Sequence, residues 1–248
     1  MKNRRIVFSS SDPDIGYCAR KITLGPESDL VKGFLANGLV GKGYSFQSNQ
    51  MAVFVEPHID SGFPDVVLAE FKPGFYDHWP EARNELTGED LRLLSFLYSR
   101  GGADFNVMQM SLRGGSAVLA RSLELLVDSG LIDRDRESRC WRPRPIDETY
   151  GITRLVAIEA KVCNSENVLE QAALNQWFAS ESYALTPVMP AGAFAERARR
   201  AGVGMVAAME GKPFRRCIAP RRFRLPSSHA SWQFNEWLGR RINIGGIR

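Results

Sequence analysis

The chain has 248 residues, 44% hydrophobic and 24% charged, proportions of an ordinary soluble globular protein with room for one large domain or two modest ones. No run approaches the roughly eighteen apolar residues that span a bilayer, and the basic start Met1–Phe8 leads into no apolar signal region, so neither membrane insertion nor secretion is expected and a cytoplasmic location is. The net charge of +4 is unevenly spread: Ala195–Arg248 holds 12 Lys+Arg against 3 Asp+Glu, a local +9, and the remainder 20 against 25, or −5. Such a segment reads either as a surface that attracts a polyanion or as a solvated basic face.

The first stretch runs to about Glu81. Gly25-Pro26 introduces a predicted helix from Glu27 to Asn37, with Leu30, Val31, Phe34 and Leu35 as its apolar stripe. Two predicted strands follow, Met51–Val55 and Asp65–Phe71, with Ser61-Gly62 as the turn between them. "GLVGKG" at Gly38–Gly43 lacks P-loop spacing.

The second stretch, about Glu85 to Pro145, reads as a self-contained small domain. Thr87 is suited to cap a helix carrying Leu91, Leu93, Leu94, Phe96 and Leu97. A short apolar segment follows at Phe105–Leu112. Gly114-Gly115-Ser116 then leads into a helix over Val118–Val127, and Leu131-Ile132-Asp133 into the arginine-rich Arg134–Arg144. This order of three helices and a basic hairpin resembles a winged helix. The resemblance implies a third helix in the DNA major groove and a wing on the backbone, with Arg134, Arg136, Arg139, Arg142 and Arg144 on phosphates. The other reading is a protein-contact or spacer domain.

The third stretch begins near Tyr150. Leu155–Val162 reads as a strand, Glu166–Ser182 as a helix, Tyr183–Val188 as a strand, Ala193–Ala201 as a helix and Gly204–Met209 as a strand. Strands alternating with helices predict an α/β core. The tail from Pro213, with Arg215, Arg216, Arg221 and Arg222 as candidate phosphate contacts, carries no clear periodicity. Cys18, Cys140, Cys163 and Cys217 form no CxxC pair, so reduced thiols are expected and a structural zinc is not. His58, His78 and His229 accompany no GxSxG elbow, which leaves a serine hydrolase unsupported.

Two charges interrupt the strand at Leu155–Val162. Alternation puts Val156, Ile158, Ala160 and Val162 on one face and Leu155, Ala157, Glu159 and Lys161 on the other. A carboxylate and an ammonium on so apolar a strand are expensive unless they serve a purpose, such as holding a divalent ion beside an attacking water. A lone ExK triplet selects nothing. Glu70-Phe71-Lys72 is another, read as a solvated strand end, because Asp65 and Glu70 lie five apart and point to opposite faces.

Pro64-Asp65 opening an apolar strand, together with Glu159-Ala160-Lys161, resembles the PD-(D/E)XK nuclease superfamily, which includes restriction endonucleases and Holliday junction resolvases. The resemblance covers roughly Glu27–Leu68 and Gly151–Met209. It implies a restriction-endonuclease-like α/β core, a mixed central sheet flanked by helices. It also implies Mg²⁺, or Mn²⁺ in its place, held by Asp65, Glu159, the Ala160 carbonyl and Glu27. Lys161 would orient or activate water, and Gln171, ahead of Gln176, would be the polar residue of the following helix. Asp65 and Glu159 are 94 positions apart, wider than the family's usual hairpin. Removing 85–145, which is 61 residues, leaves 33. The expected organisation is therefore a discontinuous nuclease core, 1–84 with 146–248, interrupted by a winged-helix-like insertion at 85–145, since an insertion at a surface turn costs little in closure entropy. The function expected is Mg²⁺-dependent cleavage of DNA, with a homodimer if both strands are cut, or with other subunits of a defence, transposition or repair system. The alternative is a catalytically silent DNA-binding regulator or assembly subunit.

Overall fold

The computed structural model describes residues 4–37, 40–41, 44–45, 50–111, 115–135, 137–163, 166–208 and 214–244. Its elements begin with β1 (Arg4–Phe8), α1 (Pro26–Asn37), the short pair β2 (Val40–Gly41) and β3 (Tyr44–Ser45), β4 (Gln50–Val55) and β5 (Val66–Phe71). Next come α2 (Gly88–Arg100), β6 (Ala103–Asp104), α3 (Phe105–Ser111), α4 (Ser116–Asp128), β7 (Ile132–Asp135), β8 (Cys140–Pro143) and α5 (Ile146–Thr149). The remainder is β9 (Ile152–Ala160), α6 (Glu166–Leu174), β10 (Glu181–Thr186), α7 (Gly192–Ala201), β11 (Gly204–Ala207), β12 (Arg215–Ile218) and α8 (His229–Ile244). Two compact units result: Met1–Lys72 with Ile152–Ser227, and Pro73–Gly151 with Ser228–Arg248.

The first unit is α/β, built on a mixed seven-stranded sheet in the order β1-β4-β5-β9-β10-β11-β12. β1–β4, β9–β10 and β10–β11 run parallel, while β4–β5, β5–β9 and β11–β12 run antiparallel. Helices cover both faces. The Phe34 ring of α1 is fully buried against Val53, Leu68, Val156 and Ile158, a burial worth about 1.5–3 kcal/mol. Val168, Leu169 and Ala172 of α6 pack with Ala195 and Ala198 of α7 and with Ala184 and Met205. A strand covered on both sides needs apolar residues at every position, not at alternate ones. That is why Leu155–Ala160 is buried throughout.

Several expected bounds shift. β9 ends at Ala160, so Lys161 and Val162 lie beyond the alternation predicted for them. The helix expected to reach Ser182 stops at Leu174 and tightens into one 3-10 turn at Asn175–Trp177, and β10 begins two residues early, at Glu181. The final strand is described to Ala207; Met209, like Leu112 and Gly114, lies outside the described residues. Glu70 is no solvated strand end. Half-buried, it accepts from Arg154 Nη1 at 3.2 Å, and the same guanidinium donates to Glu181 at 2.8 Å.

The second unit is wider than 85–145. It starts at Pro73 and takes in α8, which buries Trp232, Phe234, Trp237 and Leu238. Arg83 donates to both carboxylate oxygens of Glu236, and Arg240 donates to the carbonyls of Arg83 and Leu86. The basic excess counted after Ala195 is thus divided between the units, part of it buried. Thr87 and Asp90 form a capping box that starts α2. α2, α3 and α4 pack with a three-stranded antiparallel sheet ordered β6-β8-β7. Among the described residues no helix is long and apolar enough to cross a membrane, and the four cysteines are free.

Candidate active site

β5 and β9 lie antiparallel with Val66 opposite Ile158. That register carries the residue before β5 to the end of β9, across the 94 positions between Asp65 and Glu159. Pro64 is buried and brings no N–H needing a partner, and Asp65 Oδ2 accepts the Ala160 N–H at 2.7 Å. Glu159, 6% exposed, accepts Asn175 Nδ2–H on Oε1 at 2.7 Å. Lys161 Nζ donates to Glu27 Oε2 at 2.9 Å. Glu27 is in the first turn of α1, where the helix dipole favours an acid; Ser28 Oγ fixes that start by accepting the Gly25 N–H at 3.0 Å and donating to the Gly25 carbonyl at 2.8 Å. Asp65, Glu159, Lys161, Glu27, Gln171 and Glu56 line one cavity of about 390 Å³.

The charges in this cavity disturb one another. Burial raises the Asp65 carboxyl to about 6, opposed by the Ala160 N–H and helped by the charge of Glu56. Burial raises Glu159 further, to about 8, with the Asp65 charge adding to it and the Asn175 hydrogen bond working against it. Partial burial disfavours the Lys161 ammonium, but the hydrogen bond and charge of Glu27, with Asp65 and Glu159 behind them, hold its pKa above the ordinary lysine value. Lys161 is therefore a cation at neutral pH. Two acids that resist ionising side by side form an environment that a cation would relieve.

Gln171 Oε1 is buried with no hydrogen-bond partner and belongs to the same cavity. Gln176 is turned away, its Nε2 donating to the Ala201 carbonyl at 2.8 Å. His58 stacks on Phe63 with ring centroids 4.7 Å apart. Sequence reasoning missed Asn175, Glu56 and Arg20. Asn175 stands one helical turn past Gln171, a spacing that was legible. Glu56 gave no signal: it adopts φ +48°, a left-handed conformation unusual for a non-glycine, its carboxylate taking Arg20 Nε–H at 2.6 Å.

Among the described residues, none of the candidate phosphate-binding arginines lines this cavity. The Arg134 guanidinium lies over Trp141, 5.1 Å from the ring centroid, Arg142 is 3.7 Å from Asp135, and Arg144 is 2.8 Å from Glu148. Arg139 is exposed at the hairpin tip, and Arg136 lies outside the described residues. Arg222 pairs with the buried Glu181 at 3.0 Å and Arg216 hydrogen-bonds the Tyr183 hydroxyl. Arg215 and Arg221 are exposed.

Groups suited to a hard divalent cation line the cavity: Asp65, Glu159 and the orphaned Gln171 Oε1, and the Ala160 carbonyl shares the strand edge on which its N–H meets Asp65. Glu27, expected in that set, lines the same cavity and accepts from Lys161 on Oε2. Among the described residues no three His, Cys, Asp or Glu side chains cluster as a ready-made metal site. No family model, curated protein or solved structure matches the chain.

Proposed function

We propose that the chain is a Mg²⁺-dependent endonuclease of the PD-(D/E)XK kind that hydrolyses phosphodiester bonds in DNA. The observation carrying this reading is the Asp65–Ala160 hydrogen bond, which holds two carboxylates of raised pKa around one cavity with a lysine cation at its edge. The β5–β9 pairing and the helices on both faces fit a restriction-endonuclease-like core, and the order α2, α3, α4 and β7–β8 hairpin fits a winged helix inserted into it.

Asp65, Glu159 and the Ala160 carbonyl would hold the ion; in an extended strand a residue's C=O faces the same edge as its N–H, and here the N–H faces Asp65. Mg²⁺ or Mn²⁺, when bound, supplies Lewis-acid polarisation of the scissile phosphate and an acidified water. Asn175 fixes the rotamer of Glu159. Glu27 keeps Lys161 protonated and aimed, so Lys161 orients the attacking water and offsets the charge developing on the phosphate, and is no proton acceptor. Gln171 Oε1 is an acceptor for a water or an ion in the cavity.

Incubating supercoiled plasmid with Mg²⁺, Mn²⁺ or EDTA, paired with a gel-shift, tests the reading. We expect metal-dependent nicking that Lys161→Ala lowers by about 10²–10³-fold while DNA binding persists. Full cleavage by that variant would remove the assignment. Binding without nicking in any metal would favour the silent regulator or assembly subunit.

A further inference from the structure

The second unit carries a groove of its own, about 750 Å³, between α4, the start of α3 and the β7–β8 hairpin. Helix α4 has two stripes. Leu119, Ser122, Leu123 and Leu126 are buried, and Ala120, Glu124, Val127 and Asp128 recur at i, i+4, i+7 and i+8 along the groove, with Leu123 at its floor. The opposite wall is aromatic: Phe105 and Trp141, ring centroids 6.3 Å apart. Val127 is 38% exposed. Two carboxylates, Glu124 and Asp128, stand one helical turn apart on the rim.

Charge argues against nucleic acid here. The second unit holds 13 Lys+Arg against 14 Asp+Glu, a net −1, whereas the first holds 19 against 14, a net +5. Arg134 lines the groove with its guanidinium over Trp141, Arg142 and Arg144 of the hairpin are paired with acids of their own unit, and a polyanion laid along α4 would meet Glu124 and Asp128.

We propose that this groove binds a segment of a partner protein, one that seats an aliphatic or aromatic side chain against Val127 and Trp141 and presents lysine or arginine to Glu124 and Asp128. An apolar floor with two carboxylates on its α4 side, faced by Arg134 over Trp141, is suited to a peptide of complementary pattern. The inference is independent of the nuclease reading, which concerns the other unit.

Phage-displayed random 12-residue peptides, panned on the immobilised full-length chain, would test it. The expected result is an enriched family with an apolar anchor beside Lys or Arg. A synthetic member should lose about tenfold or more in affinity against Ala120→Arg, which fills the groove, and against the exposed Glu124→Lys. The second variant also serves should the first fail to fold. No enrichment, enrichment without basic residues, or binding indifferent to both variants would overturn the proposal. So would loss of duplex-oligonucleotide binding in Ala120→Arg, which would make DNA the occupant, or a wild-type dimer that Ala120→Arg dissolves, which would make it a second copy.

Discussion

Glu159 is a costly residue: a carboxylate buried on an apolar strand, beside a second carboxylate, with one amide donating to it. Both Asp65 and Glu159 bind protons more tightly folded than unfolded, so the folded state holds more protons and stability must fall as pH rises. The windows run from the ordinary 3.8 to about 6 for Asp65 and from 4.5 to about 8 for Glu159. In EDTA, urea melts should therefore show stability dropping between pH 5 and pH 8, on the order of 3 kcal/mol from Glu159. Glu159→Gln should flatten that slope and leave the variant more stable than the wild type at pH 8; an unchanged slope would mean that the carboxyl is not buried in the folded chain. Asp65, Glu159 and Lys161 were legible because charge on an apolar strand is rare and Pro-Asp marks its mouth. Glu56 was not, because its place depends on a backbone turn and on Arg20, 36 positions away.

At the scale of elements, the sheet centre and the ends of α1, α2 and α4 read well, whereas the end of α6 and the sheet's edges did not. β4, β5, β11, α1, α2 and α4 stood close to their predicted bounds because apolar periodicity and caps mark them. β1 and β12 are short strands rich in arginine, and α8 is so fully covered that it has no polar face to give a helical period. α8 depends on close packing. A Cβ added at Gly239 would fall 2.2 Å from the Trp79 ring, so Gly239→Ala should cost about 1–3 kcal/mol, read as a lower thermal midpoint. Glu236→Ala should cost about 3–5 kcal/mol by leaving Arg83 buried and unpaired. Wild-type stability in either variant would contradict this role for the helix.

For the whole molecule, the chain leaves the first unit after Lys72 and returns at Ile152, which accounts for the long gap between Asp65 and Glu159. This division was legible in outline, but α8 was expected in the wrong unit because residues 228–248 show no motif tying them to 73–151. Under the nuclease reading proposed above, the charge division predicts that the first unit would hold the DNA phosphates. Arg215→Ala with Arg221→Ala should weaken duplex binding and lower the salt slope by about 0.9 for each phosphate no longer neutralised. Arg134→Ala with Arg142→Ala should change neither, and a gel-shift series from low to high salt compares the pairs.

The central claim is that Asp65 and Glu159 share one cation, and calorimetric titration with Mn²⁺ at pH 8 tests it most directly. The wild type should bind with release of protons, and Asp65→Asn and Glu159→Gln should each weaken binding about tenfold or more. Equal Mn²⁺ affinity in all three proteins would contradict it.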